Sequence, residues 1–175
     1  YSQDWFDLSS IAKGYSVQLI HEYLLKNNLN NHLIDIGGEV IINGNIHGNS
    51  WKVGIQDPSS YSDKPIYIIE NSNKYLSIAT SGEYRNFIVL DNGKTISHTI
   101  NPETLNSISS NVSSVTVVHE RSATYADAYA TALNVMGGLE AMNFANKNDI
   151  ALMLSFLNDG EVVLKFSNKW YDLGL

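Results

Sequence analysis

The segment Ala126-Asp127-Ala128-Tyr129-Ala130-Thr131-Ala132-Leu133 places a carboxylate and a hydroxyl four residues apart among alanines, in a stretch that predicts a helix. At 3.6 residues per turn, positions i and i+4 lie on one face, so Asp127 and Thr131 present their oxygens toward one point. Hard cations such as Mg²⁺ prefer such donors, usually with phosphate oxygens completing the shell. The alternative is a capping box in which Thr124 and Asp127 only satisfy the helix start. The segment therefore predicts a metal site or a helix cap.

Composition and charge are typical of one acidic globular domain. The chain has 175 residues, of which 43% are hydrophobic and 17% charged, enough for one domain with its own core. A net charge of −7 and the lack of a Lys/Arg cluster argue against nucleic acid as a partner. No apolar run approaches the ~18 residues of a transmembrane segment. The absence of cysteine excludes disulfides and thiolate metal ligands.

Hydrophobic periodicity predicts three helices. They are expected at residues 11–26, 124–136 and 139–147. The first would begin after an N-cap at Ser9 or Ser10. Its apolar stripe consists of Tyr15, Leu19, Ile20, Tyr23 and Leu24.

Short apolar runs bounded by turn residues predict the strands. They are expected at residues 32–36, 39–42, 51–55, 67–70, 75–79, 87–90, 95–98, 112–119, 151–157 and 161–166. Three hairpins are expected, and they join 67–70 with 75–79, 87–90 with 95–98, and 151–157 with 161–166. The predicted fold class is α+β, a largely antiparallel sheet with two or three helices packed on it.

Four further segments have the composition of site loops. Small residues and Lys13 at the start of the first helix suit a phosphate, although an ordinary capped helix with a solvated lysine has the same composition. Gly37-Gly38 permits close backbone approach or forms a β-bulge. Residues 79–86 bring hydroxyls, a glycine and an arginine between two strands, where a plain hairpin connection is the alternative. His98 ends a strand, a usual place for a catalytic imidazole or a hydrogen-bonded structural one.

In combination, these segments resemble the C-terminal half of the ApbE-type flavin transferases, the FAD:protein FMN transferases. The matching elements, in the family's order, are Asp7-Leu8-Ser9-Ser10-Ile11-Ala12-Lys13-Gly14-Tyr15 (DLxxIAKGY), Asp35-Ile36-Gly37-Gly38-Glu39 (xxGGxx), Trp51-Lys52-Val53-Gly54-Ile55-Gln56-Asp57-Pro58 (WxVGIxxP), Thr80-Ser81-Gly82-Glu83-Tyr84-Arg85-Asn86 (TSGxYRN), Ser97-His98-Thr99-Ile100-Asn101-Pro102 (SHxIDP) and the opening segment (ADAxATAL). The resemblance covers nearly the whole chain. It implies that residues 1–175 are the C-terminal portion of a single flavin transferase domain, without its N-terminal portion.

The resemblance implies a Mg²⁺-dependent enzyme that splits FAD. FMN would be attached through a phosphoester to a Thr or Ser of an acceptor flavoprotein, with release of AMP. The alternatives are an FAD pyrophosphatase, a non-catalytic FAD-binding module and a structural partner subunit. The implied partners are FAD, the acceptor flavoprotein and a complementary N-terminal half. Relatives are largely exported, which implies an extracytoplasmic location, periplasmic or lipid-anchored, although this sequence carries no signal.

The resemblance also implies roles for individual residues. Asp127 and Thr131 would be side-chain metal ligands, joined by the backbone carbonyl of Ala12. His98 would be the base that deprotonates the acceptor hydroxyl, a task that suits an imidazole titrating near neutrality. The residues that bind FAD would be Ala12, Lys13, Gly14, Gly37, Gly38, Thr80, Ser81 and Gly82.

Two residues after His98 depart from the family pattern. Asn101 replaces the acidic residue of SHxIDP, and Leu105 stands where the family usually has a glycine. We therefore expect an altered loop there, which would affect acceptor recognition more than metal binding.

Overall fold

Four helices and twelve strands occur among the residues that the structure describes. It is a computed structural model that describes residues 7–57, 64–82, 87–89, 95–97, 99–108, 112–158 and 161–175, with backbone only for 87–89 and 95–97. The helices are α1 (Ala12–Lys26), α2 (Ala123–Met136), α3 (Gly138–Lys147) and α4 (Asn168–Asp172). The strands are β1 (His32–Ile36), β2 (Glu39–Asn43), β3 (Asn45–Ile46), β4 (Asn49–Ser50), β5 (Lys52–Gln56), β6 (Pro65–Glu70), β7 (Leu76–Gly82), β8 (Phe87–Val89), β9 (Thr95–Ser97), β10 (Val112–His119), β11 (Ala151–Asn158) and β12 (Glu161–Phe166).

Six strands form an antiparallel sheet in the order β1-β2-β7-β10-β11-β12. The pairs β3-β4, β5-β6 and β8-β9 form separate antiparallel hairpins. This arrangement confirms the predicted α+β class. The hairpins predicted at 87–90/95–98 and 151–157/161–166 are confirmed over their described residues. The short β3-β4 hairpin and α4 were not predicted.

The predicted pairing of 67–70 with 75–79 is wrong. β6 pairs with β5, while β7 lies between β2 and β10. β7 begins with four consecutive buried residues, whereas β6 exposes residues along one side. A strand that is buried on both faces belongs in the middle of a sheet, so β7 joins the sheet rather than an exposed hairpin.

The two faces of the sheet carry different layers. On one face, α2 and α3 pack against β7, β10 and β11, with Ala126, Ala130 and Leu133 of α2 fully buried. On the other face, the β5-β6 hairpin and α4 pack through Ile69 and Trp170. No helix within the described ranges is both long and apolar enough to cross a membrane.

Helix α1 lies beside α2 over β1 and β2, where Val17 contacts a small cluster with Ile34, Ile41 and Ala123. Its N-cap is Ile11, which makes no side-chain cap, so the expected cap at Ser9 or Ser10 is wrong. The buried residues of α1 are Gly14, Val17 and His21. The apolar stripe recognised in the sequence therefore lies largely outside the core, because the helix turns its glycine toward α2.

Candidate functional site

A cleft of about 1990 Å³ opens at the end of the sheet where β2 begins and β7 ends. The ladder places Val40 opposite Ile78, so the residues that precede β2 approach those that end β7. α1, α2, β5 and residues 99–103 contribute the remaining walls. The predicted site residues that line it are Lys13, Gly37, Gly38, Thr80, Ser81, Gly82, Asp127 and Thr131.

Asp127 joins the two helices at the cleft. Its side chain is 3% exposed, and its Oδ2 accepts a hydrogen bond of 2.8 Å from the backbone N–H of Gly14. The cap of α2 is instead Ser122, whose side chain accepts from the N–H of Tyr125. The capping-box alternative for Asp127 is therefore wrong, because this residue lies more than one turn inside the helix.

Gly14 allows this contact because it has no side chain. The Cβ of any other residue would overlap the carbonyl oxygen of Ala123 and lie 2.6 Å from the Cβ of Asp127. Both contacts are with atoms of α2 that cannot rotate away. The glycine thus brings the start of α1 within hydrogen-bonding distance of the Asp127 carboxylate.

Burial raises the pKa of Asp127, while the Gly14 N–H and the positive charge of Lys13 lower it. The first effect is the largest. The hydrogen bond from Gly14 and the charge of Lys13 therefore do not fully offset the cost of burying the charged carboxylate. A bound cation would favour the charged form.

Thr131 and Ser81 place two hydroxyls beside each other across the space between α2 and β7. Their oxygens are 3.3 Å apart. Thr80 projects from the other face of the strand, where its hydroxyl lies 2.9 Å from that of Thr116. The structure thus brings Ser81 toward Thr131 and turns Thr80 away from it.

Lys13 forms an ion pair with Glu39, a residue that the sequence analysis did not assign to the site. The Nζ–Oε2 distance is 2.6 Å, with the Glu39 side chain 4% exposed and that of Lys13 46% exposed. Burial raises the pKa of Glu39, Lys13 lowers it, and the charge of Asp127 raises it. The alternative of a merely solvated Lys13 is wrong. A carboxylate directly after a glycine pair, at the start of an apolar strand, was the available signal.

The glycine pair forms the two-residue connection between β1 and β2. Ile36 pairs with Glu39, and both glycines have positive φ, 62° at Gly37 and 98° at Gly38. A tight turn of the hairpin, not a β-bulge, therefore explains them. A Cβ at Gly37 would lie 3.6 Å from the Cδ of Lys13, so this turn also bounds the lysine.

The start of α1 differs from the open phosphate site that was expected. The N–H groups of Ile11 and Ala12 donate to the carbonyl of Leu8, at 3.0 and 2.9 Å. The N–H of Gly14 is taken by Asp127. These three groups are occupied, so anion binding here would depend more on the ammonium group of Lys13 than on the start of the helix.

The oxygen donors at Asp127 fit a hard cation. A buried carboxylate and the Thr131 and Ser81 hydroxyls are ligands of the type that Mg²⁺ accepts, and Mg²⁺ often uses one or two carboxylates plus phosphate oxygens and water. Throughout the described ranges, no three His, Asp or Glu side chains converge into a complete metal site. The Ala12 carbonyl already accepts from the Ser16 hydroxyl at 2.7 Å, which makes it the weakest of the three predicted ligands.

The loop after His98 shows how the two departures from the family pattern are accommodated. The Asn101 side-chain oxygen accepts from the N–H groups of Glu103 and Thr104, at 2.8 and 3.2 Å, and an asparagine supplies this acceptor as well as an aspartate would. Leu105 has a φ of 55°, a conformation that favours glycine. His98 itself and residues 83–86 lie outside the described residues.

A buried carboxylate, neighbouring hydroxyls and a lysine around a glycine-rich turn define a site suited to an anionic ligand with a divalent cation. The family model described as "ApbE family" matches residues 3–154. The chain therefore belongs to the ApbE family.

Relatives and solved structures agree with this assignment. A Haemophilus influenzae protein named FAD:protein FMN transferase is 36% identical over 172 residues, which are 98% of this chain and 49% of the relative. One of the same name from Vibrio cholerae is 40% identical over 158 residues, 89% of this chain and 46% of the relative. The chain spans about half the length of the curated relatives that it matches.

Two of the solved structures that the fold resembles are named as flavin transferases. The flavin transferase ApbE from Vibrio cholerae matches with a TM-score of 0.78 at 32% identity, covering 96% of this chain and 52% of that chain. The apo form of the Pseudomonas stutzeri flavinyl transferase ApbE matches with a TM-score of 0.81 at 28% identity, covering 96% and 51%.

Proposed function

We propose that this chain carries part of the active site of a Mg²⁺-dependent FAD:protein FMN transferase, which attaches FMN to a Thr or Ser of an acceptor flavoprotein and releases AMP. The main support for the proposal is Asp127, a buried carboxylate that lines a cleft and lies one helical turn from the hydroxyl of Thr131. The shared family and the names of the relatives support it.

In this proposal, Asp127 and Thr131 would hold the cation, with Ser81 close enough to join them. A bound Mg²⁺ supplies positive charge to the diphosphate of FAD. Lys13, whose side chain is half exposed, lines the same cleft, and its ammonium group would contact a phosphate oxygen while it stays paired with Glu39. Gly14 fixes Asp127 from the side of α1, so the charged groups are positioned before the substrate binds.

His98 is proposed as the base by resemblance. It would take the proton of the acceptor hydroxyl while that oxygen attacks the phosphorus of the FMN moiety. The bond from this phosphorus to the oxygen shared with AMP then breaks, and AMP leaves. The neighbours of His98 in the chain are Ser97, which ends β9, and Thr99, which lines the cleft.

We also propose that the complete active site includes a complementary polypeptide half, because the chain covers only 49% of the Haemophilus influenzae relative. The extracytoplasmic location inferred from the resemblance remains a prediction that no described residue addresses.

The test supplies FAD, Mg²⁺ and candidate acceptor flavoproteins to the chain. It is run with and without the part of the Haemophilus influenzae relative that the chain does not span. Chromatography measures AMP and free FMN, and in-gel fluorescence measures protein-bound FMN. The transferase predicts AMP with bound FMN, whereas AMP with free FMN would indicate the pyrophosphatase. FAD binding without AMP in both arms would indicate a binding module, and the absence of FAD binding would refute the proposal.

Two isosteric substitutions test the metal ligands. Asp127→Asn keeps an oxygen that can accept from Gly14 but removes the charge, so we expect AMP release to fall by about 10²-fold or more. Thr131→Val removes the hydroxyl without changing the volume and is expected to weaken the dependence on Mg²⁺. Matched controls are Asp172→Asn on α4 and Thr124→Val on α2, neither of which lines the cleft. Equal loss in test and control variants would contradict the assignment.

A further inference from the structure

Helix α1 carries apolar side chains on the side that points away from the core. Tyr15, Leu19, Ile20 and Tyr23 are 53%, 46%, 41% and 65% exposed. We call these four residues the outer face of α1. At 100° per residue, Tyr15 and Leu19 lie about 160° around the helix from Val17, the fully buried residue that attaches the helix to the sheet. Tyr23 lies about 120° from Val17, and Ile20, about 60° from it, borders the buried side.

A helix that is apolar on opposite sides is normally buried on both. The inner side of α1 is accounted for by α2 and by the cluster on β1 and β2. The outer face has no such covering among the described residues. Surface helices place polar residues at these positions, so the pattern indicates that another polypeptide covers the outer face.

The position of α1 in the fold leaves room for a large neighbour. The helix packs over β1 and β2, and β1 is the edge strand of the sheet. Solved relatives with the same fold contain about as much additional chain as this one, since the match covers 52% of the Vibrio cholerae structure. The added half of those relatives must contact this part of the fold, and the outer face of α1 offers four exposed apolar side chains near its edge strand.

A second copy of this chain fits the outer face less well. The four side chains expose roughly 400 Å², taking areas of the order of 200 Å² for large apolar side chains. A stable dimer typically buries about 800 Å² on each partner. A complementary half that also extends along the sheet edge can supply the remaining area.

We propose that the outer face of α1 is the docking surface for the half of the ApbE fold that this chain does not span. This inference rests on the complementary half invoked in the proposed function. The docked half would cover the side of α1 opposite Gly14, the residue that donates to Asp127, so it would also stabilise this wall of the cleft.

Thiol labelling tests the proposal without any need for FAD or activity. The chain contains no cysteine, so Leu19→Cys introduces a single reactive thiol. The matched control is Ile68→Cys, which is 57% exposed on β6, in the hairpin on the opposite face of the sheet. Maleimide labelling rates are measured for the chain alone and for the chain with the part of the Haemophilus influenzae relative that it does not span. That part is added as a separate polypeptide in one arm and joined covalently to the chain in another.

We expect the complementary half to slow labelling at position 19 by about tenfold or more, and at position 68 by less than about twofold. Leu19→Lys combined with Tyr23→Lys should weaken association of the separate half by about tenfold or more, and Ile68→Lys should not. The proposal is overturned if position 19 labels equally fast in the joined protein. Protection of position 19 that rises with the concentration of the chain alone would instead assign the face to a second copy. Loss of AMP release with protection intact would count against the proposed function and not against this surface.

Discussion

Gly14→Ala is the substitution with the clearest structural consequence. The added Cβ would overlap the Ala123 carbonyl oxygen and lie 2.6 Å from the Cβ of Asp127, so α1 and α2 must move apart. Overpacking of this kind costs about 1–3 kcal/mol. Separation also lengthens the 2.8 Å hydrogen bond to the Asp127 carboxylate, and bonds to charged groups contribute about 1.5–3 kcal/mol.

The gain in helix propensity partly offsets this loss. Alanine is favoured over glycine inside a helix by about 1 kcal/mol. We therefore expect the free energy of unfolding to fall by about 1.5–5 kcal/mol in total. The longer hydrogen bond from the N–H of residue 14 should also raise the pKa of Asp127 further, because that bond lowers the pKa in the unsubstituted chain. As the solution is acidified, Mg²⁺ binding should therefore weaken at a higher pH than in the unsubstituted chain.

Urea unfolding followed by circular dichroism measures the first effect, and isothermal titration with Mg²⁺ in the presence of FAD measures the second. Glu22→Gln, an exposed change on the same helix that keeps the side-chain oxygen contacting Gln18, is the control and should alter stability by less than about 0.5 kcal/mol. If Gly14→Ala were as stable as the unsubstituted chain, the close approach of the two helices, and with it the placement of Asp127, would be wrong.

Two further predictions concern the Leu105 loop and a buried histidine pair. Leu105 has a φ of 55° and is 78% exposed. Leu105→Gly should therefore raise the free energy of unfolding by up to about 1 kcal/mol, whereas Leu105→Ala should not. A glycine variant that is less stable in urea would contradict this expectation. His32 donates from Nδ1 to the Leu29 carbonyl, so its Nε2 accepts from the Nδ1–H of buried His21. Burial is the main cause that lowers the pKa of His21, and the neighbouring His32 lowers it further. Because the pKa of His21 is lower in the folded state than in the unfolded state, neutral His21 contributes stability above pH 6.5, the ordinary pKa of histidine. That stability is lost as the pH falls through the lowered pKa of the folded state. Unfolding measured between pH 7 and 5 should therefore lose less stability in His21→Asn than in the exposed control His47→Asn, and equal slopes would refute the pairing.

Local patterns predicted most of the secondary structure correctly. The helix spans were accurate to about one residue, because apolar periodicity and the flanking Asn and Gly residues are local signals. The predicted pairing of 67–70 with 75–79 was wrong. Proximity in sequence suggested a hairpin, whereas β7 is buried on both faces and pairs with β2 and β10 in the main sheet.

The candidate site was predicted in part for the same reason. The spacing of Asp127 and Thr131 was readable, since it depends only on the pitch of one helix. Glu39 was missed, because its role depends on Lys13 arriving from a different element. The role of Gly14 likewise follows from the packing of α1 on α2, which no local pattern encodes.

The amino-acid sequence by itself determined the helices, most of the strands, the family and the face of α2 that carries the oxygen donors, since each depends on residues near one another in the chain or on the order of short motifs. Tertiary structure alone decided which carboxylates are buried and what they contact. The Gly14–Asp127 bond joins residues 113 positions apart, and the desolvation that raises the pKa of Asp127 arises from several elements packing around it. Burial and long-range hydrogen bonding are properties of the assembled fold, so they appear only when the helices and the sheet come together.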